Sequence, residues 1–412
     1  MEMGVQVADN LIQQKKGVNK AVHNLPFPQA EAEGHRINDY DLAIIGGGLG
    51  GLALSILCAR AGYHTVLFEK ERYPFHRVCG EYISLESWNF LEDLGLPLSD
   101  MNLPLIKRLI VSAPNGKYIE QDLPLGGFGI SRFKIDFELS LLAKHAGVEV
   151  MEETKITDVE FNGSGFRIES KHGNHSSTHC CAAFGKRSNL DVKWKRNFVQ
   201  HKPGKLNNYV AVKYHVYFDL LPELICLHNF NDGYCGISRI EDNQCCLCYL
   251  TTAKNLQQNG NSIGELEKLI LAKNPFLRKI FREAIFVSNE PVVISQVSFE
   301  KKSLIEDHIL MVGDAAGMIT PLCGNGMSMA LHGAKLAFEC IDSCLKGKVG
   351  RENMEDLYSK QWKSYFATRL KTGRVIQGFF GHPLLSNLLI GGLKPFPGIS
   401  RWLIRQTHGE PF

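Results

Sequence analysis

The spacing of apolar and polar positions divides this chain into short buried strands, helices of ordinary length and turns. Leu42–Ile45 is a four-residue apolar run, right for a strand covered on both faces. Leu52–Ala61 is apolar over a helical length, and Gly62 stands where that helix would end. Thr65–Phe68 is a second short apolar run. Ser84–Leu94 predicts a helix closed by Gly95, and Leu105–Leu125 predicts strands turning at Asn115-Gly116. Phe137–Ala146 carries apolar residues at helical spacing, and Val148–Val150 opens a strand. Lys155–Ser170 predicts a hairpin about Asn162-Gly163, followed by a short buried strand at Thr178–Ala183. From Tyr209 to Thr252 the pattern is mainly β, with turns at Asn231–Gly233 and Glu241–Asn243. Ser262–Leu271 and Phe276–Ala284 are helical, Ile309–Val312 is a buried strand, and a long helix runs on to about Cys344.

The two ends differ from this middle. Residues 1–38 are polar, without a sustained period, and are expected to be a disordered extension. Residues 346–412 are expected to be mainly helical. Within them Val375–Leu393 holds no Lys, Arg, Asp or Glu, but its glycines and Pro383 speak against a spanning helix. Lys371, Arg374, Lys394, Arg401 and Arg405 surround that stretch, which suits a hydrophobic lid or a peripheral contact with a membrane.

One stretch carries a clear chemical pattern. Strand Leu42–Ile45 runs into Gly46-Gly47-Gly48-Leu49-Gly50-Gly51, in which Gly46, Gly48 and Gly51 fit GxGxxG. Gly46 permits the tight turn, Gly48 leaves room for a pyrophosphate, and Gly51 lets helix and strand pack closely. Gly50 belongs to the same turn. The helix N-terminus then offers free N–H groups and a positive dipole end. Glu69 closes the second strand and is placed to accept from both hydroxyls of a ribose; Lys70 follows it. The loop Tyr73–Glu81 leaves the ligand edge of the same sheet. In it Arg77 is placed to reach an adenosine phosphate or stack on adenine, while Cys79 has no helix N-terminus or firm cationic partner in the sequence to mark it as more than a buried thiol.

A second stretch repeats the logic. Gly313-Asp314 ends a buried strand, and a loop through Pro321 reaches Gly324, Gly326 and Met327 at the start of the long helix. An aspartate there holds a polyol hydroxyl. A glycine-opened helix N-terminus faces an anion or a ring carbonyl bearing developing charge. Two such motifs point to FAD as resident cofactor, since NAD would need only the first.

Composition narrows the classes. Of 412 residues 44% are hydrophobic and 22% charged, as in a globular enzyme. A net charge of +3, with no nucleic-acid motif, gives no reason to expect DNA or RNA as partner. The twelve cysteines follow no disulfide framework, and no secretory signal opens the chain, so reduced thiols in a cytoplasmic setting are expected. Cys245 and Cys248 form a lone CxxC inside a strand pattern. Without a second pair at zinc spacing, no metal is expected there.

Together these motifs resemble the geranylgeranyl reductase-like family, within the p-hydroxybenzoate hydroxylase-type flavoprotein monooxygenase superfamily, over roughly Asp41–Cys344. Pro74, Cys79, Gly80 and Glu81 are similar to the family's proline-to-cysteine-glycine segment beside the flavin, a resemblance that implies Cys79 as the candidate catalytic residue. Ser131-Arg132 with Asp136 resembles the short motif whose arginine contacts FAD. The resemblance implies an α/β fold with a Rossmann-like FAD-binding domain of glutathione reductase type, an inserted antiparallel β-sheet for the substrate, and a helical C-terminus. The corresponding ranges are 39–190 with 295–345 for FAD, including substrate-sheet strands near 105–125, then 191–294 for substrate. Where the superfamily carries Gly-Ala-Asp-Gly, this chain has Ala182-Ala183-Phe184-Gly185, so NAD(P)H as electron donor is not carried over with the rest. No Trp-x-Trp pair occurs, which argues against a halogenase. The expected activity is FAD-dependent hydride transfer to a hydrophobic small molecule, an isoprenoid, lipid or polyketide. Monooxygenation is the alternative, and a non-catalytic FAD-binding module the third reading.

Overall fold

β1 (Tyr40–Ile45) enters the core at once: Leu42, Ala43 and Ile44 have no exposed surface. It leads through α1 (Leu49–Arg60) to β2 (Thr65–Phe68), which lies parallel to it with Ile44 opposite Leu67. The computed structural model describes residues 38–200, 208–378, 380, 386–387, 390–392, 398 and 404–412. Residues 1–37 of the expected extension lie outside these, as do parts of 375–393, Lys394 and Arg401.

After β2 come β3 (Tyr82–Ser84), α2 (Trp88–Asp93), β4 (Leu105–Ser112), β5 (Tyr118–Gly129) and α3 (Arg132–His145). Then follow β6 (Glu149–Met151), β7 (Ile156–Phe161), β8 (Phe166–Ser170), β9 (Gly173–Ala182), α4 (Asn189–Lys193) and α5 (Asn197–Gln200). The next stretch is β10 (Tyr209–Tyr217), β11 (Leu224–Phe230), β12 (Gly233–Arg239) and β13 (Cys245–Thr252). It continues with α6 (Ala253–Gln258), α7 (Ile263–Leu269) and α8 (Pro275–Glu283). β14 (Ile285–Phe286), β15 (Val292–Val297), β16 (Ile305–Glu306), β17 (Ile309–Met311), α9 (Gly326–Leu345) and α10 (Arg351–Gln377) complete the order.

These strands make two sheets. The first has eight strands, with order β16-β17-β9-β1-β2-β6 and the hairpin β7–β8 joined to β9. Its central strands, β17, β9, β1, β2 and β6, are parallel, and their carboxyl ends carry the glycine turn, Glu69, Phe184 and Gly313. The second has nine strands in the order β14-β10-β13-β12-β11-β4-β5-β3, with β15 also on β10. It is antiparallel except where β4 meets β11, because β4 comes from a separate stretch of chain.

Alternation on β13 sorts the cysteines. Cys245, Leu247 and Tyr249 pack towards α7 and α8, while Cys248 and Leu250 join the core on the opposite face. Two elements differ from the sequence expectation. α3 starts at Arg132, five residues before the apolar period, because the Ser131 hydroxyl accepts from the Lys134 N–H at 3.1 Å and caps it. β9 starts at Gly173 rather than Thr178: its polar first half pairs with β8 in a hairpin and does not need to be apolar.

Candidate active site

A cavity of about 1060 Å³ opens between the carboxyl ends of the first sheet and one face of the second. It is lined on one side by Gly46, Gly48, Glu69, Asp314 and Met327, and on the other by residues such as Leu227, Tyr234 and Cys248. A groove at the carboxyl ends of parallel strands is where such sheets hold ligands.

The glycines divide their work. Gly46 has φ +108°, and a Cβ there would meet the Ala183 carbonyl oxygen at 2.6 Å. A Cβ on Gly51 would overlap the Gly46 carbonyl oxygen, so this glycine serves helix–strand packing. Gly50 backs onto α9, where a Cβ would lie 3.1 Å from the Ala330 carbonyl oxygen. Gly48 alone among the four faces space: a Cβ would meet only Arg132 Nη2, at 3.5 Å. Gly48 is also the N-cap of α1 and has no side chain to satisfy the first N–H groups. At α9 the N-cap, Asn325, is wholly buried and makes no cap bond; its amide lies beside the buried Glu86 carboxyl. Two uncapped helix N-termini and a cradle that a side chain at 48 would fill fit a bound dinucleotide. Gly313, Pro321, Gly324 and Gly326 line the same cavity. Gly313 and Gly324 have φ of +63° and +65°, as a loop re-entering a helix needs.

The charged residues form one chain of contacts. Glu69 Oε2 accepts from the Gly47 N–H at 2.9 Å and from Arg77 Nη2 at 2.7 Å. Arg77 Nε donates to Asp136 Oδ2 at 3.0 Å, and its guanidinium lies over the Phe75 ring. Arg77 is thus held against the phosphate turn, neither a free loop arginine nor extended along the cavity. Asp136 also receives Arg132 Nε at 2.8 Å and Nη2 at 2.7 Å, in a bidentate pair. Burial works against the Arg132 charge, but Asp136 outweighs it and raises its pKa. Lys70 is exposed at the cavity rim and pairs with Glu71 at 3.6 Å.

Cys79 sits at the junction of the two sheets. Its thiol donates to Met327 Sδ at 3.5 Å, and its carbonyl oxygen accepts from Cys246 Sγ at 3.2 Å. Two residues on, Glu81 is fully buried and accepts from the Arg132 N–H at 2.8 Å, from Lys213 Nζ, and from His215 Nε2 at 2.6 Å. Burial alone would raise the Glu81 carboxyl; Lys213 and His215 outweigh it and hold it down at about 2. Lys213 and His215 do not stand out in the sequence as site residues, although a signal exists. They are polar residues spaced by two in the otherwise apolar strand Tyr209–Tyr217.

The comparisons agree with this geometry. The profile of the NAD(P)-binding Rossmann-like domain family matches residues 44–90. The chain is 25% identical over 366 residues to a digeranylgeranylglycerophospholipid reductase of Methanocaldococcus jannaschii, covering 83% of this chain and 88% of that protein. It is 23% identical over 359 residues to conditioned medium factor receptor 1 of Dictyostelium discoideum, covering 81% and 69%. Among solved structures, the flavin-dependent brominase Bmp2 superposes with a TM-score of 0.73 at 19% identity, covering 89% of this chain and 93% of that one. A geranylgeranyl bacteriochlorophyll reductase-like protein of Thermoplasma acidophilum superposes with 0.72 at 18%, covering 90% and 96%. At these identities the structural likenesses carry the fold. Fold and site together define an FAD-dependent oxidoreductase. In sequence the chain is similar to the geranylgeranyl reductase-like family, as its motifs imply.

Proposed function

We propose that the chain reduces a carbon–carbon double bond in a hydrophobic, lipid-like molecule, with an isoprenoid chain as the substrate class. The observation that carries this reading is the cavity's second wall. On β10, β11 and β13 it is apolar at Ala211, Leu227 and Leu250, and it meets the Cys79 loop where the two sheets join. A further apolar cavity of about 130 Å³ shares Tyr82, Leu227 and Gly324 with the first, which gives a long chain room beyond the reacting carbons. The reductase named among the relatives supports the same substrate class. FAD, when bound, supplies the hydride chemistry.

In this reading the protein binds, orients and moves a proton. Gly48 and the α1 N-terminus hold the pyrophosphate, and Asp314 a ribityl hydroxyl. The α9 N-terminus at Gly324–Met327 stabilises negative charge on the pyrimidine edge. Cys79 Sγ holds the proton that the substrate carbon takes up. Positioned proton donors contribute about 10²–10⁴-fold in rate. Cys79→Ser should therefore retain FAD yet slow turnover more than about tenfold, and Cys79→Ala at least as much, in stopped-flow records of flavin oxidation by substrate. Unchanged rates in both would reduce Cys79 to packing. Monooxygenation is the second reading, favoured by the shared fold with a flavin-dependent brominase. Oxygen consumed in step with product would select it. Among the described residues no helix is long and apolar enough to cross a membrane. Peripheral contact through the C-terminal region belongs to the proposal, and co-sedimentation with anionic vesicles tests it.

A further inference from the structure

We propose that Glu81, Lys213 and His215 are positioning residues for Cys79: through them the second sheet fixes where the Cys79 loop stands and what charge its thiol meets. The proposal rests on the reading of Cys79 given above.

The geometry begins with register. On β10 and β13, His215 lies opposite Cys246 and Lys213 opposite Cys248, so the four side chains share one sheet face. The Cys79 loop lies on that face. Lys213 Nζ bonds the Glu81 carboxylate and also donates to the Arg77 carbonyl oxygen at 3.2 Å. Cys246 Sγ donates to the Cys79 carbonyl oxygen at 3.2 Å. Three residues of the loop, 77, 79 and 81, are thus tied from the same side. From the other side the Arg132 N–H, in the first turn of α3, holds the same carboxylate. Glu81 has φ +55°, a conformation that a side-chain-bearing residue keeps only when its surroundings impose it. The carboxylate ties the loop to α3 and β10 at once, and the His76 ring of the same loop, stacked on Phe133 of α3 and edge-on to His215 of β10, runs beside it.

Glu81, His215 and Cys246 bring ligand atoms within 4.8 Å of one another, which invites a metal reading. The neighbours decide against it. The Lys213 ammonium already occupies the cationic place on the carboxylate. Burial raises the pKa of the Cys246 thiol, whose hydrogen is engaged by the Cys79 carbonyl. The cluster is a complete charge pair with a histidine partner, and it uses its donors to hold the loop.

The charged and titratable groups facing Cys79 are Arg132 from α3, Lys213 from β10, Cys246 and Cys248 from β13, and Glu81 from its own loop, with His76, Lys186 and His215 just behind. Removing a positive charge from this set raises the pH at which the thiol ionises, and removing the negative one lowers it.

The test is the pH profile of Cys79 alkylation by iodoacetamide in the FAD-loaded protein, followed on the Cys79 peptide by mass spectrometry. The partly exposed Cys344 serves as internal reference. Below its midpoint the rate follows the thiolate fraction, so moving the midpoint by about one pH unit changes the rate about tenfold. Glu81→Gln should lower the midpoint and speed alkylation at pH 7 about threefold or more. Lys213→Met should raise it and slow alkylation by a similar factor. Lys213→Arg, which keeps the cation, should remain within about twofold of the parent. Loosening alone would move both substitutions in one direction and leave the midpoint in place. Midpoints unmoved, or moved in the same direction, in Glu81→Gln and Lys213→Met overturn the proposal. If Lys213→Met does not fold, the near-isosteric Glu81→Gln decides alone: its midpoint falls or the proposal fails. Because alkylation needs no substrate, this outcome is separate from the turnover of Cys79→Ser, which tests the role of the thiol itself.

Discussion

Replacing Gly48 with valine should remove the cofactor and leave the protein folded. Gly48 has φ −86° and ψ −177°, an extended conformation that any residue adopts. Its missing Cβ faces the cavity, with only Arg132 Nη2 within 4 Å, at 3.5 Å. The unliganded fold therefore loses little, within about 0.5–1 kcal/mol, the usual effect of a substitution that breaks no contact. The ligand loses its place, because the side chain fills the space that lets a pyrophosphate approach the α1 N-terminus. Retained FAD stabilises the parent by about 2.7 kcal/mol at a hundredfold excess over Kd, and this increment vanishes with binding. Thermal unfolding with and without added FAD, beside the flavin absorbance of the purified protein, measures both quantities. The parent should gain several degrees on FAD addition and Gly48→Val none, while their FAD-free midpoints coincide within about 3 °C. Gly51→Ala is the contrasting control. A Cβ there would overlap the Gly46 carbonyl oxygen, so that variant should lose stability outright, by about 1–3 kcal/mol or more. A yellow, FAD-responsive Gly48→Val would refute the assignment of the turn. A Gly48→Val that does not fold would refute the claim that its side chain points into open space.

Asp314→Ala should weaken FAD retention by about 1.5–3 kcal/mol, a ten- to hundredfold rise in Kd by equilibrium dialysis, through loss of a charged acceptor for a ribityl hydroxyl. Acid should destabilise the fold in two stages. Burial pulls His228 down to about 3, and burial with Arg351 pulls His179 to about 4. Both stay neutral when folded and take protons when unfolded. Their stabilisation is therefore whole above the ordinary 6.5 and is lost as pH falls from there through 4 and 3. Glu81, held at about 2 against an ordinary 4.5, adds a loss that begins only below that value. Urea midpoints at pH 7.5, 5 and 4 should fall in turn, and a flat series would contradict the buried neutral histidines.

The parts of the site that are legible in the sequence are those whose chemistry is local. Gly46, Gly48 and Gly51 form one turn whose spacing is its geometry, and Glu69 follows at a distance set by one helix and one strand. Gly313–Met327 is likewise a single strand, loop and helix start. What is not legible depends on register between distant strands. Lys213 and His215 are ordinary polar residues until β10 pairs with β13 and brings them over a loop more than a hundred residues earlier in the chain. The role of Gly50 is hidden for the same reason. Its position in the turn suggests a ligand contact, and its close packing on Ala330 appears only once α1 and α9 lie side by side. The start of α3 does not show in the apolar period because a cap, not an apolar residue, sets it.

Phe184 stands where the superfamily that the motifs resemble carries an aspartate. Its ring lines the cavity, 6.0 Å from that of Trp194, and offers no bond to the loops around it. Those loops are joined instead by two buried cations from elsewhere. Lys302 Nζ donates to the Lys186 carbonyl oxygen at 3.0 Å and to that of Asp314 at 2.7 Å. Arg196, wholly buried in its side chain, pairs with Asp191 at 2.8 Å and donates to the Ala315 carbonyl oxygen at 3.0 Å. Burial draws Lys302 down to about 8, so its hold on the Asp314 turn weakens in mild alkali. An aspartate at 184 would have offered acceptors; these cations reach the main-chain carbonyls and tie the end of β9 to the turn after β17. The corner of the cavity that carries Asp314 is thereby held by residues outside both glycine motifs, and position 184 is free to be aromatic.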